Sequence, residues 1–130
     1  MTSKIVIKTS EAPNPVGPYN QAIKAGQFIY CSGQIAINPQ SNSIECLGDV
    51  ESETRQVLNN LKAVLNSCGA EMEDVIKTTI FLTDLRNFEK VNDIYSNFFS
   101  GSNTPARACV EVSRLPKNVS VEIDCVAFVG

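Results

Sequence analysis

The sequence predicts an α+β domain in which a mixed β-sheet carries two α-helices on one face. Residues 49–68 and 85–99 both have apolar side chains at the three- and four-residue spacing of amphipathic helices. Shorter segments around them alternate in polarity or are rich in β-branched residues, as strands are. The order strand, helix, strand, helix, strand, strand fits a split βαβ arrangement, in which right-handed crossovers place both helices on the same side of the sheet.

One domain is expected to span residues 1–130, because this is the length of a single globular domain. Hydrophobic residues make up 43% of the chain, enough for a core without a structural metal or disulfides. Two helices on one face leave the other face of the sheet without cover, and a chain of this length has no spare element for it. We therefore expect the chain to self-associate.

The N-terminal part is expected to contribute three strands. Residues 4–8 alternate in polarity, residues 22–25 form a second candidate, and residues 27–35 are rich in β-forming side chains. Between the first two strands lies the segment EAPNPVGPYNQA, residues 11–22. Proline fixes φ and donates no backbone hydrogen bond, so this segment is expected to be an ordered loop.

Residues 49–68 are expected to form the longer helix. Asp49 or Ser52 can cap its beginning, and Gly69 stands where a glycine often ends a helix. Its apolar stripe consists of Val57, Leu61, Val64, Leu65 and Cys68.

The C-terminal half is expected to place the second helix among three strands. The strands are predicted at residues 75–82, 107–113 and 119–128, with a turn at 115–118 before the last of them. The helix at residues 85–99 has an apolar stripe made of Phe88, Val91, Tyr95, Phe98 and Phe99.

The composition excludes several classes of chemistry. The chain contains no histidine, so no imidazole is available as a base, as a member of a catalytic triad or as a metal ligand. The net charge is −3, from 11 basic and 14 acidic residues without any block of like charge. We therefore expect neither a metal site nor a nucleic acid partner.

The cysteines and the N-terminus indicate a cytoplasmic protein. Five cysteines, an odd number, show neither a C-x-x-C pair nor the spacing of a disulfide framework, and are expected to be reduced thiols. The first ten residues lack the long apolar region of a signal peptide, and no apolar run is long enough to span a bilayer. We therefore expect no contact with a membrane.

Arg107 is the first candidate for a functional side chain. On its alternating strand it shares a side with Cys109, Glu111 and Ser113, a pattern that usually marks a solvated sheet face. Arg107 nevertheless follows a stiff Pro-Ala pair, and a guanidinium presents a fork that matches a carboxylate. We expect its side of the strand to face the subunit contact, where an unpaired arginine would be costly.

Glu122 is the second candidate, because it lies in the middle of an apolar strand. It is either a surface residue or an ion-pair partner of Arg107 or a lysine, or else a carboxylate that positions or protonates a ligand. Cys109 fits a small buried side chain better than a nucleophile, since no histidine can activate it.

Three further residues have two interpretations each. Tyr19 follows Gly-Pro in the rigid loop, where its ring either lines a pocket or packs the loop onto the core. Ser32 and Gly33 end a strand, where a hydroxyl and a bare backbone suit either a ligand or a turn.

The sequence resembles the RidA/YjgF family of reactive-intermediate imine deaminases. The resemblance rests on GPYNQA at residues 17–22, SGQI at 32–35, PARACVEV at 105–112, RLPK at 114–117 and VEI at 121–123. It extends over residues 4–128, nearly the whole chain. It implies a chorismate-mutase-like (ferredoxin-like) α+β fold and a homotrimer with three sites in the clefts between subunits.

The resemblance also implies an activity without a cofactor. Such an enzyme hydrolyses 2-imino acids and their enamine tautomers, such as 2-aminoacrylate and 2-aminocrotonate, to 2-keto acids and ammonia. Arg107 would pair with the substrate carboxylate, and Glu122 would position the attacking water or exchange a proton with the departing nitrogen. The implied substrate-binding positions are Arg107 itself, backbone groups near Gly33 and Cys109, and the pocket wall of Tyr19, Ser32 and Asn92.

Three other functions stay open. Family members have been described as translation inhibitors with endoribonuclease activity, which the net charge of −3 and the absence of histidine disfavour here. The chain could also bind a small carboxylate without turning it over, or be a chaperone-like or structural trimer.

Overall fold

The computed structural model describes residues 3–130; the first two residues lie outside it. It consists of one six-stranded sheet and two α-helices. The strands are β1 (Lys4–Ile7), β2 (Ala22–Ala25), β3 (Phe28–Gln34), β4 (Val75–Leu82), β5 (Ala106–Glu111) and β6 (Val121–Phe128), and the helices are α1 (Val50–Ser67) and α2 (Phe88–Phe98). The sheet order is β1–β2–β3–β6–β4–β5, with β4 and β5 parallel and all other neighbours antiparallel. The predicted α+β class and mixed sheet are confirmed.

The last strand begins two residues later than predicted. Pro116–Asn118 form a 3₁₀ turn in which Lys117 and Asn118 have positive φ values of 56° and 59°. This turn delays the extended conformation until Val121. In the same way, a 3₁₀ turn at Leu85–Asn87 precedes α2, which begins at Phe88 rather than at residue 85.

Helix α1 has the predicted ends and the predicted buried face. The Asp49 side chain accepts a hydrogen bond from the backbone N–H of Ser52, which satisfies one of the free donors of the first turn. Gly69 ends the helix with a φ of +83°, a conformation that costs glycine little. The predicted stripe is fully buried at Val57, Leu61, Val64 and Leu65 and partly buried at Cys68.

Both helices lie on the same face of the sheet, as predicted. Helix α1 packs against β3, β6 and α2. From α2, the hydroxyl of Tyr95 shares a hydrogen bond of 2.7 Å with the hydroxyl of Thr78 on β4. Ile94 is also buried in α2, although the prediction omitted it, whereas Phe88 is exposed.

Buried polar side chains hold the loops to this core. Glu53 of α1 is fully buried, and its two carboxylate oxygens accept hydrogen bonds of 2.8 Å from the backbone N–H groups of Gly48 and Ser120. Ser120 leads directly into β6, so this contact fixes where that strand begins. Asn60 likewise donates to the carbonyl oxygens of Ile35 and Ile37.

Neither helix lies on the opposite face of the sheet, which we call the open face. Strand register places on it side chains that alternate with the buried ones: Phe28, Tyr30, Lys77, Thr79, Phe81, Ala108, Val110, Glu122, Asp124, Val126 and Phe128. Phe28, Tyr30, Val110 and Phe128 are exposed large apolar residues of this set. Self-association across the open face stays a prediction.

Candidate functional site

Tyr19, Gly33 and Glu122 lie together around one pocket at the end of β3. Side chains of the proline-rich loop, including Pro13 and Val16, complete its wall. The pocket encloses about 50 Å³, room for a few water molecules. We call Tyr19, Gly33 and Glu122 the Glu122 half-site.

The proline-rich loop is held over this pocket by Gln21, a buried residue that the sequence interpretation missed. The Gln21 side-chain oxygen accepts from the backbone N–H of Thr9 at 2.7 Å. Its side-chain nitrogen donates to the carbonyl oxygens of Thr9, Ala12 and Pro13. The side-chain amide of Gln21 thus ties the beginning of the loop to β2. In the sequence, a glutamine directly before a strand does not indicate that its side chain makes these hydrogen bonds.

Tyr19 and Ser32 have different positions relative to the pocket. The ring of Tyr19 lines it, and its hydroxyl accepts a hydrogen bond from the backbone N–H of Val16 at 3.2 Å. The hydroxyl of Ser32 instead donates to the carbonyl oxygen of Asn20 at 2.6 Å. Ser32 therefore anchors the loop that carries Tyr19, and it is not among the pocket-lining residues.

The carboxylate of Glu122 lies directly against the backbone of Gly33. A Cβ atom added to Gly33 would lie 2.5 Å from Oε2 of Glu122 and 2.9 Å from its carboxyl carbon. Burial, and next the nearby charge of Asp124, raise the pKa of Glu122 above its ordinary value. The fold therefore holds a half-buried carboxyl group against bare backbone.

Gly33→Ala is expected to displace the carboxyl group of Glu122 while leaving the fold intact. The added methyl group would overlap Oε2, so the side chain must rotate away, whereas the φ of Gly33 does not require glycine. If Glu122 takes part in activity, kcat/KM should fall at least about tenfold, the loss expected from a displacement of order 1 Å. Thermal unfolding serves as the control, and unchanged kcat/KM in the folded variant would contradict the importance of this contact.

Arg107 lies in a different region, at the edge of the sheet beside α2. Its Nη1 group donates a hydrogen bond of 2.7 Å to Oδ1 of Asn92. Its guanidinium carbon lies 5.3 Å from the ring centre of Phe88 and 5.0 Å from that of Tyr95. Among residues 3–130, Asn92 is the one hydrogen-bond acceptor of this exposed guanidinium. We call Phe88, Asn92, Tyr95 and Arg107 the Arg107 half-site.

The sequence interpretation missed the contacts that Phe88 and Tyr95 make with Arg107. Both residues belong to the predicted apolar stripe of α2. Phe88, Asn92 and Tyr95 are spaced by four and three residues, so they share one helix face. This spacing was the signal that could have identified them, because one polar side chain stands between two aromatic ones.

The expectation that Arg107 and Cys109 face the uncovered side of the sheet was wrong. Strand β5 is parallel to β4 with Thr78 paired to Arg107 and Ile80 paired to Cys109, and Thr78 and Ile80 are buried beneath the helices. Alternation correctly separated the two sets of side chains on β5, but it could not show which set faces the helices. Arg107 stays exposed because it lies on an edge strand.

Cys109 packs partly against the core, as its interpretation as a small buried residue predicted. Burial raises the pKa of its thiol, although the charge of Arg107 opposes this effect. The raised pKa keeps the group in its protonated form at neutral pH, which does not suit a nucleophile.

Within one chain Arg107 and Glu122 lie on opposite faces of the sheet. Glu122 pairs with Phe81 of β4, and the side chain of Phe81 points away from those of Thr78 and Ile80. The alternative of an ion pair between Glu122 and Arg107 of the same chain is therefore wrong. The candidate site residues form two separate half-sites.

Residues 3–130 contain neither a membrane-spanning helix nor a cluster of metal-binding side chains. No helix within residues 3–130 combines the length and apolar character that crossing a membrane requires. The same residues contain no cluster of three or more cysteine, aspartate and glutamate side chains that could hold a metal ion.

Comparison with known proteins places this fold in one class. The family model described as Endoribonuclease L-PSP matches residues 9–129. A structure from Thermotoga maritima described as a putative endoribonuclease has the same fold, with a TM-score of 0.92 and 40% identity, covering 97% of this chain and 98% of that one. The class is thus that of the small α+β domains of the L-PSP type.

The sequence relatives define the family more closely. A RutC family protein of Synechocystis is 56% identical over 127 residues, which cover 98% of this chain and 97% of that protein. The 2-iminobutanoate/2-iminopropanoate deaminase of Escherichia coli K12 is 44% identical over 123 residues, covering 93% and 94% of the two chains. This chain belongs to the RidA/YjgF family, as its motifs indicated.

A solved relative shows a ligand in this fold. The structure of Escherichia coli TdcF with bound serine has a TM-score of 0.91 and 38% identity, covering 97% of this chain and 99% of that one. Membership of the family supports RidA-type imine deaminase activity at the level of the family as a whole.

Proposed function

We propose that this chain hydrolyses reactive 2-imino acids and their enamine tautomers, such as 2-aminoacrylate and 2-aminocrotonate, to 2-keto acids and ammonia. The observation that carries the proposal is the arrangement of Arg107. Asn92 and two aromatic rings hold the guanidinium at the surface, where its remaining N–H groups are available to a carboxylate. The name of the Escherichia coli deaminase supports the same substrate class. The reaction requires no cofactor.

We propose that the active enzyme is a homotrimer with its sites between subunits. A site that uses both Arg107 and Glu122 must take them from two chains, because one chain holds them on opposite faces of its sheet. A head-to-tail contact repeated around a closed ring would bring the Arg107 half-site of one subunit to the Glu122 half-site of the next. Exposed apolar side chains on the open face supply a surface for such a contact.

The proposed chemistry begins with orientation of the substrate. Arg107 pairs with the substrate carboxylate in bidentate fashion, and backbone groups near Gly33 and Cys109 hold the substrate and water. Tyr19 lines the pocket beside them, Ser32 anchors the loop that carries Tyr19, and Asn92 holds Arg107. Fixing the substrate and water in one geometry removes much of the entropy cost of their encounter.

Glu122 acts on the water in this mechanism. The water oxygen bonds to the imine carbon as the C=N π bond breaks, one water proton passes to Glu122, and Glu122 gives a proton to the nitrogen, forming a carbinolamine. Glu122 then takes the hydroxyl proton of the carbinolamine and passes it to the nitrogen, the C–N bond breaks as the keto group forms, and ammonia leaves with Glu122 ionised again. An imine is already electrophilic, so a carboxylate suffices where less reactive substrates need histidine.

A coupled assay tests the proposed function. A threonine dehydratase supplies the imine, and release of 2-ketobutyrate is followed with semicarbazide present as a competing nucleophile. Wild-type protein is expected to accelerate keto acid formation. Binding of 2-ketobutyrate without acceleration would overturn the proposal in favour of a non-catalytic carboxylate binder.

As the pH is lowered, kcat/KM is expected to decrease, and the decrease should be centred at a pH above the ordinary pKa of glutamate. Burial and Asp124 raise the pKa of Glu122 above the usual value of about 4.3, and only the ionised form accepts a proton from water. As the pH decreases through this raised pKa, the ionised fraction and kcat/KM should decrease together. Pre-steady-state mixing with imine at each pH measures this decrease, which we call the acid limb of the pH–activity profile.

Two variants test whether the acid limb arises from titration of Glu122. Glu122→Gln should abolish it together with most of the activity, whereas Glu51→Gln, at an exposed position of α1, should leave it in place. An unchanged acid limb in Glu122→Gln would remove this residue from the proton transfer.

A further inference from the structure

The guanidinium of Arg107 is held by an aromatic residue that is itself fixed in the core. Tyr95 lies 5.0 Å from the guanidinium carbon and is 7% exposed. Its hydroxyl shares a 2.7 Å hydrogen bond with Thr78, which is fully buried, and its ring centre lies 4.7 Å from that of Phe99. The tyrosine therefore has contacts at both ends that fix the plane of its ring.

Thr78 and Arg107, the two residues that Tyr95 contacts, lie on neighbouring strands. Thr78 of β4 is the register partner of Arg107 on β5. A path of contacts thus runs from Thr78 to Tyr95 on α2 and from Tyr95 to Arg107, and it returns through the strand pairing to Thr78. Such a closed path fixes the distance between helix and edge strand at the position of the guanidinium.

We infer that Tyr95 is a positioning residue for Arg107, setting the direction in which the guanidinium fork meets the substrate carboxylate. This inference rests on the proposed function and deepens its site. An exposed arginine on an edge strand has many rotamers of similar energy, and a productive carboxylate contact selects among them. A cation held over a fixed aromatic face, with Asn92 bonded to Nη1, loses that freedom before the ligand arrives.

Phe88 does not replace Tyr95 in this role. It also contacts the guanidinium, at 5.3 Å, but it is 37% exposed and stands at the first residue of α2. Its ring has no hydrogen-bonding group that could tie it to the sheet. Phe88 therefore adds contact, whereas Tyr95 determines the orientation.

Kinetics of three variants test the inference. Tyr95→Leu removes the ring and is expected to raise KM about tenfold with a smaller change in kcat, because cation–π contacts of this kind act on binding. Tyr95→Phe retains the ring and its contact with Phe99 but loses the hydrogen bond to Thr78, so its kcat/KM should lie between those of wild type and Tyr95→Leu. In the Arg107→Ala background, Tyr95→Leu should cause no further loss. Equal losses in both backgrounds would show a merely structural role and overturn the inference.

A spectroscopic measurement on the wild type does not depend on enzymatic activity. In a ¹H–¹⁵N spectrum, the side-chain N–H signals of Arg107 are identified by their absence in Arg107→Lys. They are expected upfield of those of Arg55, Arg86 and Arg114, because the rings of Tyr95 and Phe88 shield them, and Tyr95→Leu should remove most of this shift. Signals at the position of the exposed arginines would overturn the inference even if the enzyme is active. Shielded signals in a protein without imine hydrolysis would uphold the positioning and overturn only the proposed function.

Discussion

Arg107→Ala is expected to lower kcat/KM for imine hydrolysis by roughly 30-fold to a few thousand-fold, the equivalent of about 2–5 kcal/mol for a lost charge-assisted pair. Without the guanidinium, the substrate carboxylate has no bidentate partner and the imine carbon loses its fixed position. The side chain is exposed, so its removal leaves no cavity in the core. The coupled dehydratase assay measures the loss.

Two arginine variants control this experiment. Arg107→Lys keeps the charge but not the planar fork, and its activity should lie between wild type and Arg107→Ala. Arg86→Ala removes a guanidinium that is 90% exposed and pairs with Asp84 at 2.8 Å rather than with a residue of either half-site, and it should leave activity unchanged. Equal activities of Arg86→Ala and Arg107→Ala would contradict the assignment of a carboxylate partner to Arg107.

The sequence was sufficient for elements whose structure depends on neighbouring residues. Helix α1 has its cap at Asp49, its terminating Gly69 and a buried stripe within one continuous segment. The alternation of β5 and β6 likewise separated Arg107 from Ala108 and Glu122 from Ile123. Side chains on a strand alternate whatever the strand pairs with, so these assignments needed no knowledge of the tertiary structure.

The orientation of Arg107 could not be predicted in the same way. It depends on which residue of β4 lies beside it, and that register is set by contacts between segments about thirty residues apart. The face on which Arg107 lies decides how a site can be built. Because Arg107 is on the helix-covered face and Glu122 is on the open face, the two half-sites of one chain are separated by the sheet.

Buried polar residues were missed for a related reason. Glu53 looks like an ordinary acidic residue in the first turn of a helix, yet it accepts a hydrogen bond from Ser120, 67 residues away. Gln21 and Asn60 also bind backbone groups of distant loops. The cost of burying such groups is offset only by partners that appear once the chain is folded, so composition and periodicity do not indicate them.

Co-refolding Arg107→Ala with Glu122→Gln is expected to restore activity that neither variant has alone. If each site takes Arg107 from one subunit and Glu122 from the next, random assembly of an equal mixture gives intact sites at about a quarter of the interfaces. The mixture should therefore reach about a quarter of wild-type activity, whereas sites built within one chain would always carry one of the two lesions. The coupled assay before and after co-refolding measures the recovery.

The matched control is Arg107→Ala co-refolded with the Arg107→Ala/Glu122→Gln double variant. This mixture lacks the guanidinium in every chain, so it should stay inactive while undergoing the same assembly. Tags of different mass on the two chains show that mixed oligomers have formed. Mixed oligomers without recovered activity would contradict the shared site, as would wild-type protein that is active while eluting in gel filtration at the 14.1 kDa of a single chain. Recovery requires a second chain, because the sheet places Arg107 and Glu122 of one chain on opposite faces.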